Sequence, residues 1–388
     1  IRVSDAVYYI ALITYIICRV LDYSFFSDWG SVEKLSDALQ IISIALLAFK
    51  IIVLTHYSVR LATIAALFLG ALLLSYYASN SWSLLMMGLL VVGSVGCSRY
   101  SICKAVAWCT AILIAIVILF SVAGFIDTNI TEANSILSSW LDVDIRNSFG
   151  FIHVNYLGML VMLIFICRLI LADSDMGKSE IVIWWAIAAA LFFVVNTKTA
   201  SCLIALCLIM IILLRAGKAQ KQTVCKICMA GSVASLIVGI YLAAAFDSSN
   251  GLFDFVNRFL VGRVSFAHTF LTSYPLTPFG QHLDLVSTIE AAALGIRSQV
   301  LDNAYVSLLV HFGIVPFVLV VSLYFIGMKR SLTKGHAGIC CAVFVLFVAG
   351  ASEVWMTSLP GAAVLACMFD SVFQTSESDS DMSCRDKA

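Results

Sequence analysis

Long apolar stretches recur along the whole chain, and their length constrains the fold more than any other feature of the sequence. A helix needs ~20 mostly apolar residues to cross the hydrocarbon core of a bilayer. Unpaired backbone groups are costly in lipid, so such stretches fold as helices, whereas a membrane barrel would show short alternating strands. The sequence therefore predicts an all-α, polytopic integral membrane protein.

Composition leads to the same fold class. Of the 388 residues, 62% are hydrophobic and 12% are charged, whereas charged residues reach ~25% in globular domains.

We expect one transmembrane domain, residues 1–373, and a disordered cytoplasmic tail, residues 374–388. Pro360 and Gly361 are expected to interrupt the last span. The twelve expected spans cover residues 6–22, 36–55, 60–78, 82–97, 103–125, 153–172, 180–195, 199–214, 227–246, 303–327, 337–352 and 356–373.

The distribution of Lys and Arg between the connections predicts the orientation. With the N-terminus in the cytoplasm, 16 of the 23 basic residues fall on the cytoplasmic side and 7 on the outer side. Both termini are therefore expected in the cytoplasm, with two long outer loops, residues 126–152 and 247–302. Residues 252–273 of the second loop are apolar enough to form a helix on the membrane surface or against the bundle. No basic cluster with interleaved aromatic residues indicates a nucleic-acid partner.

Cysteines do not indicate a metal site. Most of the 13 cysteines fall inside the expected spans or on the expected cytoplasmic side. Cys225 and Cys228 have the spacing of metal ligands, but no second pair matches them. We interpret the cysteines as small apolar packing residues.

Arginines collect in the two outer loops, against the overall trend of the basic residues. They are Arg146, Arg258, Arg263 and Arg297. Arginine binds phosphate oxygens in a bidentate manner, so the group indicates a phosphate-bearing ligand. Attraction to lipid headgroups is the alternative for each arginine taken singly.

Other polar residues lie where the spans begin or end. His153 and Asn155 lie in the first turn of the sixth span, where such a pair either caps the helix, bonds a neighbouring helix or contacts a ligand. Lys198, in a short outer hairpin, is either an interfacial residue or a phosphate contact. Glu353, at the outer end of the eleventh span, is either interfacial or a base.

Four motifs follow one another in the second half of the chain. They are "RNSFGFIHVNYLGML" after the first outer loop, "NTKTAS" in a hairpin, "NRFLVGRVSFAHTFLTSYPLTPFG" in the large loop and "LDNAYVSLLVHFGIVP" entering the tenth span, with Glu353 after them. Their order and spacing resemble the Wzy-type polysaccharide polymerases, which are bacterial membrane enzymes of the O-antigen ligase and polymerase superfamily. The likeness covers about residues 146–353, and spans one to five match only in being hydrophobic.

The resemblance implies a GT-C-type glycosyltransferase on the outer face of the bacterial plasma (inner) membrane. Such enzymes transfer a growing glycan from undecaprenyl diphosphate to a lipid-linked repeat unit, and they are regarded as independent of metals and other cofactors. Membrane lipids and the undecaprenyl-diphosphate-linked oligosaccharide are the expected partners. A chain-length regulator and a flippase are further partners that this type of system implies.

The resemblance also implies roles for individual residues. Arg146 and Arg263 match the arginines that bind the diphosphate, and Arg258 is the reserve candidate for the same role. Lys198 stands where relatives often have arginine. The base that accepts the proton of the attacking hydroxyl is Asp302, His282 or Glu353, with Asp302 preferred. The remaining expected substrate contacts are His153, Asn155, Asn303 and Tyr305.

Two other functions fit a membrane protein of this kind. An O-antigen ligase typically has a histidine immediately before the asparagine at the mouth of the corresponding span, whereas this chain has Asp302 before Asn303. A repeat-unit flippase would also have about twelve spans, but transporters often show internal repeats and polar or broken helices at mid-depth. We find no convincing repeat between the two halves of the sequence, so the polymerase is favoured.

Overall fold

The computed structural model describes most of the chain as a bundle of apolar helices. The expected tail, residues 374–388, and Arg297 lie outside the described residues. The described residues are 2–132, 145–172, 176–214, 218–286, 291, 295–296, 298–334 and 336–373.

Fifteen helical segments form the described part of the bundle. In chain order they are α1 (Val3–Asp22), α2 (Gly30–Phe49, continued by the π-helix Lys50–Leu54), α3 (Val59–Ser79), α4 (Trp82–Gly93), α5 (Arg99–Val122), α6 (Val154–Ala172), α7 (Lys178–Ala190, continued by the π-helix Leu191–Val195), α8 (Lys198–Leu214), α9 (Lys218–Ala244), α10 (Gly251–Phe259), α11 (Arg263–Ser273), α12 (Ala304–Val306, continued by the π-helix Ser307–Phe312), α13 (Ile314–Lys334), α14 (Ala337–Gly350) and α15 (Leu359–Phe373). Short 3₁₀ helices are formed by Phe25–Asp28 and Trp355–Thr357.

Eight helices in the described part of the chain are long and apolar enough to cross a membrane: α1, α2, α3, α5, α6, α7, α9 and α13. The chain is therefore an all-α, multi-pass membrane protein. Helices α4, α8, α14 and α15 are apolar but shorter. Eleven of the twelve expected spans each overlap one of these helices, and the tenth overlaps α13 only in part. The spanning role of the four shorter helices stays a prediction.

Helices α6, α14 and α15 form the centre of the bundle. In the 18-residue apolar stretch of α6, 67% of the residues are buried, compared with 17% in the corresponding stretches of α2 and α5. Helix α6 packs against α5, α8, α14 and α15. The peripheral helices expose apolar side chains such as Ile52 and Trp108, which is the arrangement expected when lipid surrounds the bundle.

The expected interruption of the last span by Pro360 and Gly361 is wrong. Helix α15 begins at Leu359, so both residues lie in its first turn. Proline is tolerated there because the backbone N–H groups of the first turn have no partner within the helix. The pair marks the start of the helix rather than a defect within it.

The tenth expected span, residues 303–327, is not continuous. It divides at Gly313 (φ 99°), and Gly280 (φ 90°) crosses it there so closely that a Cβ on Gly313 would lie 2.3 Å from the Gly280 nitrogen. The crossing loop supplies backbone partners for the broken helix, which a membrane protein requires at such a break. These hydrogen bonds run from Ile314 N to Thr277 O at 3.0 Å, from Val315 N to Pro278 O at 3.0 Å and from Gln281 N to His311 O at 3.0 Å.

Both long loops contain ordered segments. Residues 252–273 form two helices, α10 and α11, rather than one, because Val261 (φ 55°) and Gly262 (φ 81°) turn the chain between them. In the first loop, strands β1 (Ile130–Glu132) and β2 (Ile145–Asn147) pair antiparallel. An isolated bridge joins Phe151 to Ser24 after α1, so the first loop is attached to the N-terminal part of the bundle.

Candidate functional site

Arg263 lies between two carboxylates contributed by distant parts of the chain. Its Nε lies 3.2 Å from Asp302 Oδ2, and its Nη1 lies 2.8 Å from Glu353 Oε1. The guanidinium side chain is 16% exposed, so these contacts are shielded from bulk water. Arg263 is the first residue of α11, where the left-handed Gly262 redirects the chain. The two contacts bring the second long loop, residues 247–302, against the ends of α12 and α14.

Glu353 also accepts hydrogen bonds from donors on two further elements, α6 and α8. Its Oε1 accepts a hydrogen bond from Asn155 Nδ2 at 3.1 Å, and its carboxyl group also accepts one from the Thr199 hydroxyl. With Arg263, these donors occupy a carboxylate that is only 5% exposed. Buried carboxylates persist when they are hydrogen-bonded in this way.

Arg146 lies within electrostatic range of Arg263. It is on β2, opposite Thr131; burial lowers the pKa of Arg146, and the positive charge of Arg263 adds to the effect. Its Nε is buried and has no hydrogen-bond partner among the described residues. Two guanidinium groups placed together repel each other, and a bound anion would remove that cost.

His153 adds an uncharged hydrogen-bonding group to the two arginines. Burial and the charges of Arg146 and Arg263 lower the pKa of His153 to about 4, so the imidazole is uncharged at neutral pH. The backbone N–H of Asn155 donates to His153 Nδ1 at 3.2 Å. The proton of the neutral ring is therefore on Nε2, which is a hydrogen-bond donor.

The two carboxyl groups hold protons more tightly than ordinary ones. Burial raises the pKa of Glu353 to about 7, and the nearby charge of Asp302 adds to the effect, while Arg263 acts in the opposite direction. Burial also raises the pKa of Asp302, and Arg263 again opposes the rise. A carboxyl group that gains and loses a proton near neutral pH, as Glu353 does, is suited to acid–base chemistry. We call Arg146, His153, Asn155, Arg263, Asp302 and Glu353 the polar cluster.

Asn303 and Tyr305 hold the polar cluster in place rather than face a substrate. Asn303 caps α12, accepting from Tyr305 N and Val306 N at 3.0 Å each, and it is 4% exposed. Tyr305 is fully buried, and its hydroxyl donates to Phe347 O at 2.5 Å. The expected substrate contacts of these two residues are therefore corrected to positioning roles, since the cap fixes the adjacent Asp302.

Two other expected site residues lie apart from the polar cluster. Arg258 pairs with Asp254 on its own helix, α10, and its side chain is 67% exposed. His282 is 62% exposed, its Nε2 is 3.6 Å from Asp284 Oδ1, and its Nδ1 is 3.4 Å from Ser79 O. No contact between described residues joins either one to Arg263. The structure therefore does not bring Arg258, the expected reserve arginine, or His282, an expected base, into the polar cluster.

The hairpin that contains Lys198 lies next to Arg146. Asn196 Nδ2 is 3.4 Å from Ile145 O, one residue before Arg146, and Lys198 is the half-buried first residue of α8. Sequence reasoning missed Thr199, the next residue, which donates to Glu353. Its position in the "NTKTAS" hairpin was the only available signal, because a threonine in an apolar chain does not by itself indicate a site.

Comparisons with protein-family models, with curated proteins and with solved structures give no match to this chain. We therefore argue its function from the chemistry of the polar cluster. That cluster combines two guanidinium groups within electrostatic range of each other, a neutral imidazole donor and two carboxyl groups with raised pKa values. Such a set can bind an anion and accept a proton at one place.

Proposed function

We propose that this chain is a membrane glycosyltransferase that polymerises lipid-linked oligosaccharide repeat units. In this scheme, the growing glycan leaves undecaprenyl diphosphate and joins a hydroxyl group of a new lipid-linked repeat unit. The reaction takes place on the outer face of the bacterial plasma membrane, within a GT-C-type bundle of about twelve spans. The excess of basic residues in the opposite connections supports cytoplasmic termini and this orientation.

The observation that carries the proposal is the buried Arg146 Nε, which has no hydrogen-bond partner among the described residues and lies within electrostatic range of Arg263. The two arginines come from different loops, and the chain places them near enough for the charge of one to lower the pKa of the other. Arg263 has carboxylate partners, whereas Arg146 has a buried Nε without a hydrogen-bond acceptor among the described residues. A diphosphate supplies the acceptor oxygens that this arrangement requires.

The same arginines favour departure of the diphosphate. As the glycosidic bond breaks, the bridging oxygen keeps the bonding electron pair and the diphosphate gains negative charge. Guanidinium groups held in a poorly solvated site stabilise that charge more in the transition state than in the ground state. The neutral His153 supplies a third donor without adding a charge that would hold the product too tightly.

Asp302 is the better candidate for the base. Its side chain is 32% exposed, so a substrate hydroxyl can reach it, and Arg263 fixes one of its oxygens. Glu353 is 5% exposed and already accepts from three donors. In this assignment Asp302 takes the proton of the attacking hydroxyl, and Glu353 holds Arg263 and Asn155 in position.

The base assignment is tested with Asp302→Asn and Glu353→Gln in proteoliposomes supplied with lipid-linked repeat units. We expect Asp302→Asn to lower the rate of polymer formation by about 100-fold or more, within the usual range for loss of a general base. Glu353→Gln should keep a larger share of the activity because it retains a neutral acceptor for Arg263. A nearly unchanged rate in Asp302→Asn would transfer the base role to Glu353.

Gene deletion tests the overall function. Loss of a polymerase leaves single repeat units on the surface, which a gel of surface glycan resolves. Full-length glycan that is not attached to its lipid acceptor would instead indicate a ligase, and precursor trapped on the cytoplasmic face would indicate a flippase. Either result would overturn the proposal. A chain-length regulator and a flippase are the protein partners that the proposed reaction implies.

A further inference from the structure

A second group of polar residues lies next to the polar cluster, between α1 and α2. Arg19 Nη2 is 2.5 Å from Asp22 Oδ2 and 3.0 Å from Gln40 Oε1, and the Ser36 hydroxyl donates to the Asp22 carboxylate. We call Arg19, Asp22, Ser36 and Gln40 the α1–α2 group. The proposed diphosphate chemistry does not use any of its members.

The backbone places the α1–α2 group at the same end of the bundle as Arg146 and His153. Ile152 N donates to Tyr23 O at 3.0 Å, and Phe25 N donates to Gly150 O at 2.9 Å. Tyr23 directly follows Asp22, and Ile152 directly precedes His153. The segment that carries the polar cluster is therefore hydrogen-bonded to the end of α1.

Aromatic rings lie between the two groups of residues. The Tyr23 and Tyr156 rings stack with centroids 4.3 Å apart and an angle of 12° between their planes. The Tyr156 ring lies 6.4 Å from that of His153, and the Arg19 guanidinium carbon lies 6.0 Å from the Tyr23 centroid. Both tyrosines are half-buried. Amphipathic side chains therefore connect His153 to Arg19 through a series of contacts.

The α1–α2 group is held in place but retains unused hydrogen-bonding capacity. The side chains of Arg19 and Asp22 are 23% and 33% exposed. Arg19 Nε is buried without a partner among the described residues, and the Gln40 amide nitrogen makes no hydrogen bond to another described residue. The group presents donors from Arg19 and Gln40 beside acceptors from Asp22, which is the alternation that neighbouring sugar hydroxyls require.

We propose that the α1–α2 group binds the sugar part of the lipid-linked substrate, with the diphosphate held at Arg146 and Arg263. The inference rests on the proposed function, because it takes the ligand to be a glycan. We assign the α1–α2 group to uncharged hydroxyls rather than to a second phosphate, because its one arginine is paired with Asp22 and the group has no second guanidinium like the one that Arg146 adds to the polar cluster. Sugar hydroxyls carry no charge, and they can donate to Asp22 while accepting from Arg19 and Gln40.

Two lipids separate the sugar contacts from the diphosphate contacts. One is undecaprenyl diphosphate, and the other is the lipid-linked oligosaccharide extracted from the host strain. Binding of each to the purified full-length protein is measured by native mass spectrometry. We expect Asp22→Asn and Gln40→Leu to weaken binding of the oligosaccharide lipid at least tenfold and to leave binding of undecaprenyl diphosphate unchanged. Gln40→Leu is included because it leaves Asp22 in place as the counter-charge of Arg19.

Matched variants define the other outcomes. Asp28→Asn removes an exposed carboxylate six residues from Asp22 and should change neither affinity, whereas Arg146→Gln should weaken both. If Gln40→Leu weakens binding of both lipids equally, or of neither, the sugar site is overturned and the diphosphate site stands. Failure of the wild-type protein to bind either lipid would instead overturn the proposed function.

Discussion

The Arg263 guanidinium lies 2.8 Å from Glu353, a carboxylate that is 5% exposed, where the second long loop meets the end of α14. Removal of one partner from a buried ion pair leaves an uncompensated charge and typically costs ~3–5 kcal/mol. We therefore expect Arg263→Leu to melt at a clearly lower temperature than the wild type in detergent. Arg263→Leu/Glu353→Leu should recover part of that loss but remain inactive. Equal melting temperatures for the single and double variants would contradict a buried pair.

Substitution of Arg146 should lower activity without lowering stability. Its buried Nε has no hydrogen-bond partner among the described residues, so its loss should leave the protein level nearly unchanged. We expect Arg146→Gln to lower polymer formation by about 100-fold, as is typical when one donor to a developing charge is removed. Arg146→Lys should give an intermediate rate because it lacks the bidentate geometry. Arg258→Gln is the matched control, since its exposed guanidinium pairs with Asp254, and it should retain normal activity.

The raised pKa of Glu353, about 7 against an ordinary 4.5, predicts a pH dependence of stability. A carboxyl group with a higher pKa in the folded state binds more protons when folded. Its contribution to the free energy of unfolding is therefore largest at low pH and decreases by about 3 kcal/mol as the pH rises from about 4.5 to about 7.

Glu353→Gln removes that titration. Melting temperatures in detergent at about pH 5 and about pH 8 should show that the wild type loses stability relative to Glu353→Gln as the pH rises. His153, whose pKa is lowered, contributes in the opposite direction, but it titrates in both proteins and cancels in the comparison. A difference between the two proteins that does not change with pH would rule out the raised pKa.

Gly313 is predicted to be essential for folding. A Cβ at this position would lie 2.3 Å from the Gly280 backbone nitrogen, which cannot move aside, so Gly313→Ala should leave little protein in the membrane. Gly124→Ala is the control, because Gly124 also has a positive φ, but a Cβ added there would meet no atom within 4 Å. It should cost only the backbone strain, roughly 1–2 kcal/mol. Similar immunoblot levels for the two variants would argue against the close crossing.

The apolar pattern predicts helices well because a bilayer requires long uninterrupted apolar segments. It does not predict how those helices end. The break at Gly313 falls inside an apolar run, and its backbone groups are bonded by residues 277–281 of the preceding loop, which no local pattern indicates. Likewise, Pro360 looked like an interruption because sequence alone does not reveal which turn of a helix contains it.

The site was only partly predictable for a similar reason. Residue type indicated Arg146, Arg263, Asp302 and Glu353, since charged groups in an apolar chain are costly without a partner. Residue type alone did not distinguish them from Arg258, which forms an exposed pair on its own helix. The contact that includes Thr199 and the capping role of Asn303 arise from tertiary packing.

The crossing of Gly280 and Gly313 makes the second long loop an integral part of the bundle. Residues 277–281 complete the boundary between α12 and α13 through backbone atoms, and α11 supplies Arg263 from the same loop. A chimera that exchanges only residues 247–302 for a foreign loop would leave that boundary with unsatisfied backbone groups. Transplanting specificity between such proteins therefore requires the loop and the broken helix to be moved together.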